Sequence, residues 1–191
     1  MDFTAASRAF RALGSVKFDS LWTASRQAPF FDALETGKLP PADFRRQLRA
    51  ALEVEADDTA LDTAWGAMLG PPRQAALSLL AGLRNERQLF LLSNTNLIHL
   101  ELLRQRHGRS LPWEAHLHQS YYSCDIGARK PTMQAFETVL EAHNLAPHTT
   151  LFVDDLAANI AAAEKLDLRT LHLHPGMALE PALAGCGVRQ A

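Results

Sequence analysis

At 191 residues, with 47% hydrophobic and 21% charged residues, the chain has ordinary globular proportions, which argue against disorder and leave room for one core plus a modest insertion. A formal net charge of -2 gives no electrostatic reason to expect nucleic acid or an anionic membrane as partner, so an anionic ligand must be held by local groups. The longest apolar runs fall far short of the roughly 20 residues that a membrane helix needs, and the start, MDFTAASRAFRALG, lacks the unbroken apolar block of a secretion signal.

From the N-terminus, Phe3, Phe10, Leu13, Phe18, Leu21, Trp22, Phe30, Phe31 and Leu34 recur at spacings of three and four, as on helices packed against one another. Thr36-Gly37-Lys38-Leu39-Pro40-Pro41 is a loop, and its Pro-Pro feeds a helix with Phe44, Leu48 and Leu52 on one stripe. Asp57, Asp58 and Thr59 offer caps for a further helix carrying Leu61, Trp65 and Met68. Gly70-Pro71-Pro72 punctuates the chain, and beyond it the pattern changes to strands alternating with helices, the mark of a mostly parallel sheet. Leu89-Phe90-Leu91-Leu92 reads as a strand ending at Ser93-Asn94-Thr95-Asn96, followed by an amphipathic helix over 97–107. An edge-like segment over 117–122 precedes the Gly127-Ala128-Arg129-Lys130-Pro131 loop, after which Met133, Phe136, Val139 and Leu140 share a helix face. Leu151-Phe152-Val153 runs into Asp154-Asp155, an Ala-rich helix follows, and 168–173 makes a third apolar strand. The chain therefore divides into a helical part, residues 1–75, and an α/β part, residues 76–191. Two cysteines, Cys124 and Cys186, suggest neither a disulfide framework nor a thiolate metal site and fit a reducing cytoplasm.

In open α/β sheets, ligands bind beyond the carboxyl ends of the strands, where loops converge and helix N-termini present free N–H groups. Ser93-Asn94, Lys130 and Asp154-Asp155 occupy such positions. Together they offer a hydroxyl and N–H groups for phosphoryl oxygens, an ammonium to neutralise charge, and paired carboxylates for a hard cation. Taken singly, each has a plainer reading: Ser93 or Asp154 as a helix cap, Lys130 as a solvated loop lysine. Their joint order and flanks favour the site.

LFLLSNTN, GARKPTMQAF and TLFVDDLAANIAAAEKLDLRTLHL resemble, in order, the second, third and fourth motifs of the haloacid dehalogenase (HAD) superfamily. FFDALETGKLPPADFRRQL and DTAWGAML are similar to the small helical cap of its bacterial phosphatases, so the resemblance spans nearly the whole chain. It implies a Rossmannoid parallel sheet with an N-terminal helical cap, and a Mg²⁺-dependent phosphatase of a small phosphorylated metabolite. Carried over residue by residue, Ser93 and the Asn94 N–H would bind the phosphoryl group, and Lys130 would stabilise its shifting charge. Asp154 would ligate Mg²⁺ directly, while Asp155 would bind it through water or orient Lys130. The family reaction passes through a phosphoaspartyl intermediate. A 2-haloacid dehalogenase, which needs no metal, and a non-catalytic binding protein on the same fold are the alternatives.

No segment matches the family's first motif, an apolar strand ending in the nucleophilic Asp. Asp19 is a superficial candidate, but Lys17 interrupts its run and Leu21 stands where a second carboxylate or Gly would fall. Met1-Asp2-Phe3 is instead similar to the segment just downstream of that motif. The resemblance thus implies a sheet whose central first strand is missing, edges that would need another partner strand or a homo-oligomer, and no appreciable turnover by the 191-residue form.

Overall fold

The computed structural model describes residues 2–22 and 27–188; Met1, part of the Met1-Asp2-Phe3 segment considered above, lies outside them. Helices α1 (Phe3–Ala12), α2 (Phe18–Leu21), α3 (Pro29–Glu35), α4 (Pro41–Leu52), α5 (Asp58–Gly66) and α6 (Gln74–Leu83) come first. Then follow β1 (Phe90–Ser93), α7 (Leu97–His107), β2 (Gln119–Tyr122), α8 (Ser123–Ile126) and α9 (Met133–Ala142). The chain closes with β3 (Leu151–Asp154), α10 (Ala157–Glu164), β4 (Arg169–His172) and α11 (Leu179–Gly185). Contacts gather these into two compact units, Met1–Pro71 with Thr95–Leu111, and Pro72–Asn94 with Pro112–Ala191.

The first unit is helical, and aromatic rings fill it. Phe10 stacks on Phe18 with centroids 4.6 Å apart, and Trp65 meets Trp22 at 4.6 Å and Phe31 at 5.0 Å. Pro41 sits in the first turn of α4, where a missing N–H costs nothing, and the expected Phe44, Leu48 and Leu52 stripe is buried. Of the offered caps, Asp57 starts α5 by accepting the Ala60 N–H at 2.7 Å. The Arg45 guanidinium grips both oxygens of Asp62, at 2.8 and 2.7 Å, and so ties α4 to α5. Helix α7 belongs here too: Ile98 joins the aromatic core, and His99 stacks on Trp65 with centroids 5.0 Å apart.

The second unit holds two parallel strand pairs, β1 with β2 and β3 with β4, in registers that set Ser93 against Tyr122 and Asp154 against His172. Among the described residues no ladder joins β1 to β3. Side chains bridge instead: Leu92 of β1 and Phe152 of β3 pack on one cluster with Phe136, Ala162, Ala163 and Leu168. On the opposite faces, Leu151, Val153 and Leu171 meet Leu79 and Leu83 of α6 and Leu183 of α11. Two sequence readings need adjusting. The edge-like segment expected over 117–122 is a strand only from Gln119, preceded by a turn of 3₁₀ helix over Glu114–His116; the His118 Nδ1 accepts the Leu89 N–H at 3.1 Å. The last strand spans Arg169–His172, with Leu168 withdrawn from it into the apolar cluster.

Candidate functional site

Parallel pairing puts the carboxyl ends of β1 and β2 at one end of their ladder, and those of β3 and β4 likewise. Ser93 is the last residue of β1 and Asn94 follows it. The plain reading, in which this pair caps the next helix, is not realised: α7 is capped by Asn96, whose Oδ1 accepts the His99 N–H at 3.0 Å. Asn94 turns its amide elsewhere. Its Nδ2 donates to the Lys130 carbonyl and its Oδ1 accepts the Lys130 N–H, both at 2.8 Å, so the side chain reads the Lys130 backbone as a neighbouring strand would.

The loop that presents Lys130 leaves α8 through Gly127, whose φ of 70° is one that a Cβ disfavours. It is closed by Thr132, which donates both its N–H and its hydroxyl to the Arg129 carbonyl, at 2.9 and 2.7 Å. From there the Lys130 ammonium reaches Asp154 Oδ2 at 2.7 Å, with side chains only 11% and 6% exposed. The same ammonium lies 5.4 Å from the centroid of Phe152. Two groups taken so far out of water are compensated because they face each other and because the carboxylate accepts further hydrogen bonds.

Asp154 ends β3, and its Oδ1 accepts the Leu156 N–H and the Asn159 Nδ2–H, both at 2.9 Å. Its two oxygens therefore hold three donors, which leaves Oδ2 capacity for one further ligand. Asp155 is exposed at the bend after the strand. Asn159 was visible in the sequence only as a residue downstream of Asp154-Asp155. The first turn of α10 buries it against the carboxylate, and its position five residues past Asp154 was the one available signal. The side-chain role of Asn94 had no local signal, because its partner is 36 residues away.

Asp19 lies on the surface of the helical unit, paired with Arg11 at 2.8 Å. Hydrogen bonding to Arg11 holds its carboxyl below the usual carboxylate range. Among the described residues no three His, Cys, Asp or Glu side chains gather to enclose a metal. Asp154 and Asp155 are adjacent at the end of β3, a donor set that suits a cation such as Mg²⁺, which takes one or two carboxylates and completes its shell with water and phosphate oxygens.

Residues 8–167 match a family model described as haloacid dehalogenase-like hydrolase. The chain is 28% identical over 178 residues to D-ribitol-5-phosphate phosphatase from Bacteroides thetaiotaomicron, covering 92% of this chain and 86% of that one. It is 25% identical to the sesquiterpene phosphatase astK of Aspergillus oryzae, over 78% of this chain and 74% of the relative. The crystal structure of a family enzyme from Bacteroides thetaiotaomicron, in complex with magnesium and inorganic phosphate, superposes with a TM-score of 0.87 at 26% identity, covering 95% of this chain and 91% of that one.

Proposed function

The chain belongs to the haloacid dehalogenase-like hydrolases, and we propose that it serves as a Mg²⁺-dependent phosphatase of a small phosphorylated metabolite. The observation that carries this reading is the Lys130–Asp154 pair, held at 2.7 Å beside Asn94 and close to the strand ends. In it, the Ser93 hydroxyl and the Asn94 N–H bind phosphoryl oxygens. The Lys130 ammonium balances the charge that moves onto those oxygens as the ester bond opens. Asp154 would hold Mg²⁺ and Asp155 would bind it through water or orient Lys130; the ion, when bound, would supply Lewis-acid stabilisation of the phosphoryl group. Relatives named for D-ribitol-5-phosphate and for a sesquiterpene share the phosphate and differ in the organic part, which agrees with a site whose gathered groups address the phosphate. A dehalogenase needs no cation, so the adjacent Asp154 and Asp155 favour phosphate.

Residues 1–75 as a helical cap and 76–191 as the α/β core complete the reading, although α7 of the latter packs in the helical unit. β1 and β3, each paired on one side only among the described residues, offer a route to self-association. No described helix is long and apolar enough to cross a membrane, and a reducing cytoplasm suits Cys124 and Cys186, which are not joined in a disulfide.

None of the side chains in this reading is assigned as the attacking carboxylate, so ligand binding is the direct test. Inorganic phosphate titrated calorimetrically in the presence of Mg²⁺ should bind, and Lys130→Ala should weaken that binding about tenfold or more, the scale of one charge-assisted hydrogen bond. Binding indifferent both to Lys130→Ala and to chelation of Mg²⁺ would discard the reading. Hydrolysis of p-nitrophenyl phosphate, where observed, should require Mg²⁺ and collapse in Asp154→Asn.

A further inference from the structure

We propose that His172 is a positioning residue for Asp154, acting through the peptide that joins Asp155 to Leu156. The tip of β4 is locked beside that of β3: Asp154 and His172 are register partners, and the Leu173 N–H donates to the Asp154 carbonyl at 2.9 Å. From this position the His172 Nε2 lies 3.2 Å from the Asp155 carbonyl oxygen. A carbonyl oxygen only accepts, so Nε2 carries the proton. The other face of the arrangement is His174, whose ring lies 4.1 Å from that of His172 and limits its rotation.

The same peptide unit carries the Leu156 N–H, which donates to Asp154 Oδ1 at 2.9 Å. A donor on the C=O of a peptide polarises it and strengthens its N–H as a donor in turn. The chain of bonds therefore runs from the imidazole through one peptide plane to the carboxylate. Helix α10 does not hold that carbonyl itself. The Asn159 and Ile160 N–H groups both go to the Leu156 carbonyl, at 3.0 and 3.2 Å, and no side chain caps the helix. His172 thus fixes the plane in which Oδ1 is held, and with it the direction in which Oδ2 faces Lys130 and any cation. The consequence for a cation rests on the reading of Asp154 as a metal ligand; the orientation of the peptide does not.

The experiment compares His172→Phe, which keeps a ring and removes the donor, with His172→Gln, whose amide carries a donor at a similar reach. In amide-resolved NMR spectra the Leu156 proton should move upfield and exchange faster in His172→Phe and stay near its wild-type position in His172→Gln. An unmoved Leu156 amide in His172→Phe, or an equal shift in both variants, would overturn the positioning role. With Mn²⁺ as the probe, followed by its paramagnetic resonance, His172→Phe should weaken binding about tenfold, at the low end of what loss of a ligand's supporting hydrogen bond costs. His172→Gln should recover most of that loss. Mn²⁺ binding that is absent from the wild-type chain, or undiminished in Asp154→Asn, overturns the metal reading and leaves the amide shifts to decide the orientation.

Discussion

Replacing Lys130 by Met would leave the Asp154 carboxylate nearly out of water with two neutral donors and no countercharge. Breaking one half of such a pair costs about 3 to 5 kcal/mol, so Lys130→Met should lower the urea midpoint clearly. Lys130→Met combined with Asp154→Leu, which removes both charges, should recover much of the loss. His99 makes the second residue-scale argument. Burial lowers its pKa from 6.5 to about 4, against a raising contribution from the Trp65 carbonyl 3.3 Å from its Nε2. The folded protein thus favours the neutral ring, and the unfolded chain takes up the proton first. Stability should be full above pH 6.5 and fall as the pH drops from 6.5 towards 4. The total loss is about 3 kcal/mol. Denaturant melts of His99→Phe across that window should be flatter than those of the wild type.

At the scale of elements, the helical unit depends on how each helix starts and on what ties it to the next. Asp57 supplies the side-chain cap of α5, and Asp57→Ala should cost about 1 kcal/mol, measurable as a shift in thermal midpoint. Asp62 lies on the same helix and is gripped through both oxygens by Arg45 of α4. Asp62→Asn should therefore loosen the contact between the two helices while leaving the α5 cap intact. Asn94 ties elements in the second unit. It joins the end of β1 to the loop after α8, which in turn carries Lys130 to the end of β3. A short polar side chain thereby connects strand pairs that share no ladder among the described residues.

For the whole molecule, the proposed site makes stability depend on ligand. Inorganic phosphate with Mg²⁺, present at about 100 times its dissociation constant, should stabilise the fold by roughly 2.7 kcal/mol. Thermal melts should show that gain in the wild type and lose it in Lys130→Ala. A rise of equal size in both would place the anion elsewhere on the protein.

The helical first part, the strands that follow it and the polar clusters at the strand ends were legible in the sequence, because hydrophobic period and capping chemistry act over a few residues, whereas α6, α8 and α11 were not named from it. The change from helical spacing to short apolar runs near Gly70-Pro71-Pro72 expresses that local physics, as do the stripe of α4 and Asp57 ahead of α5. Motif resemblance extended this to a family, and it is the source of the roles proposed for Ser93, Asn94, Lys130, Asp154 and Asp155. Long-range pairing was decided by the tertiary structure alone. The Asn94 amide on the Lys130 backbone, the His172 ring on the Asp155 carbonyl and the packing of α7 in the aromatic unit join residues far apart in the chain. A helix or strand period states which face is apolar, but not which distant surface covers it. Likewise, a polar side chain in the sequence shows its donors and acceptors, while only the folded backbone brings their partners within reach.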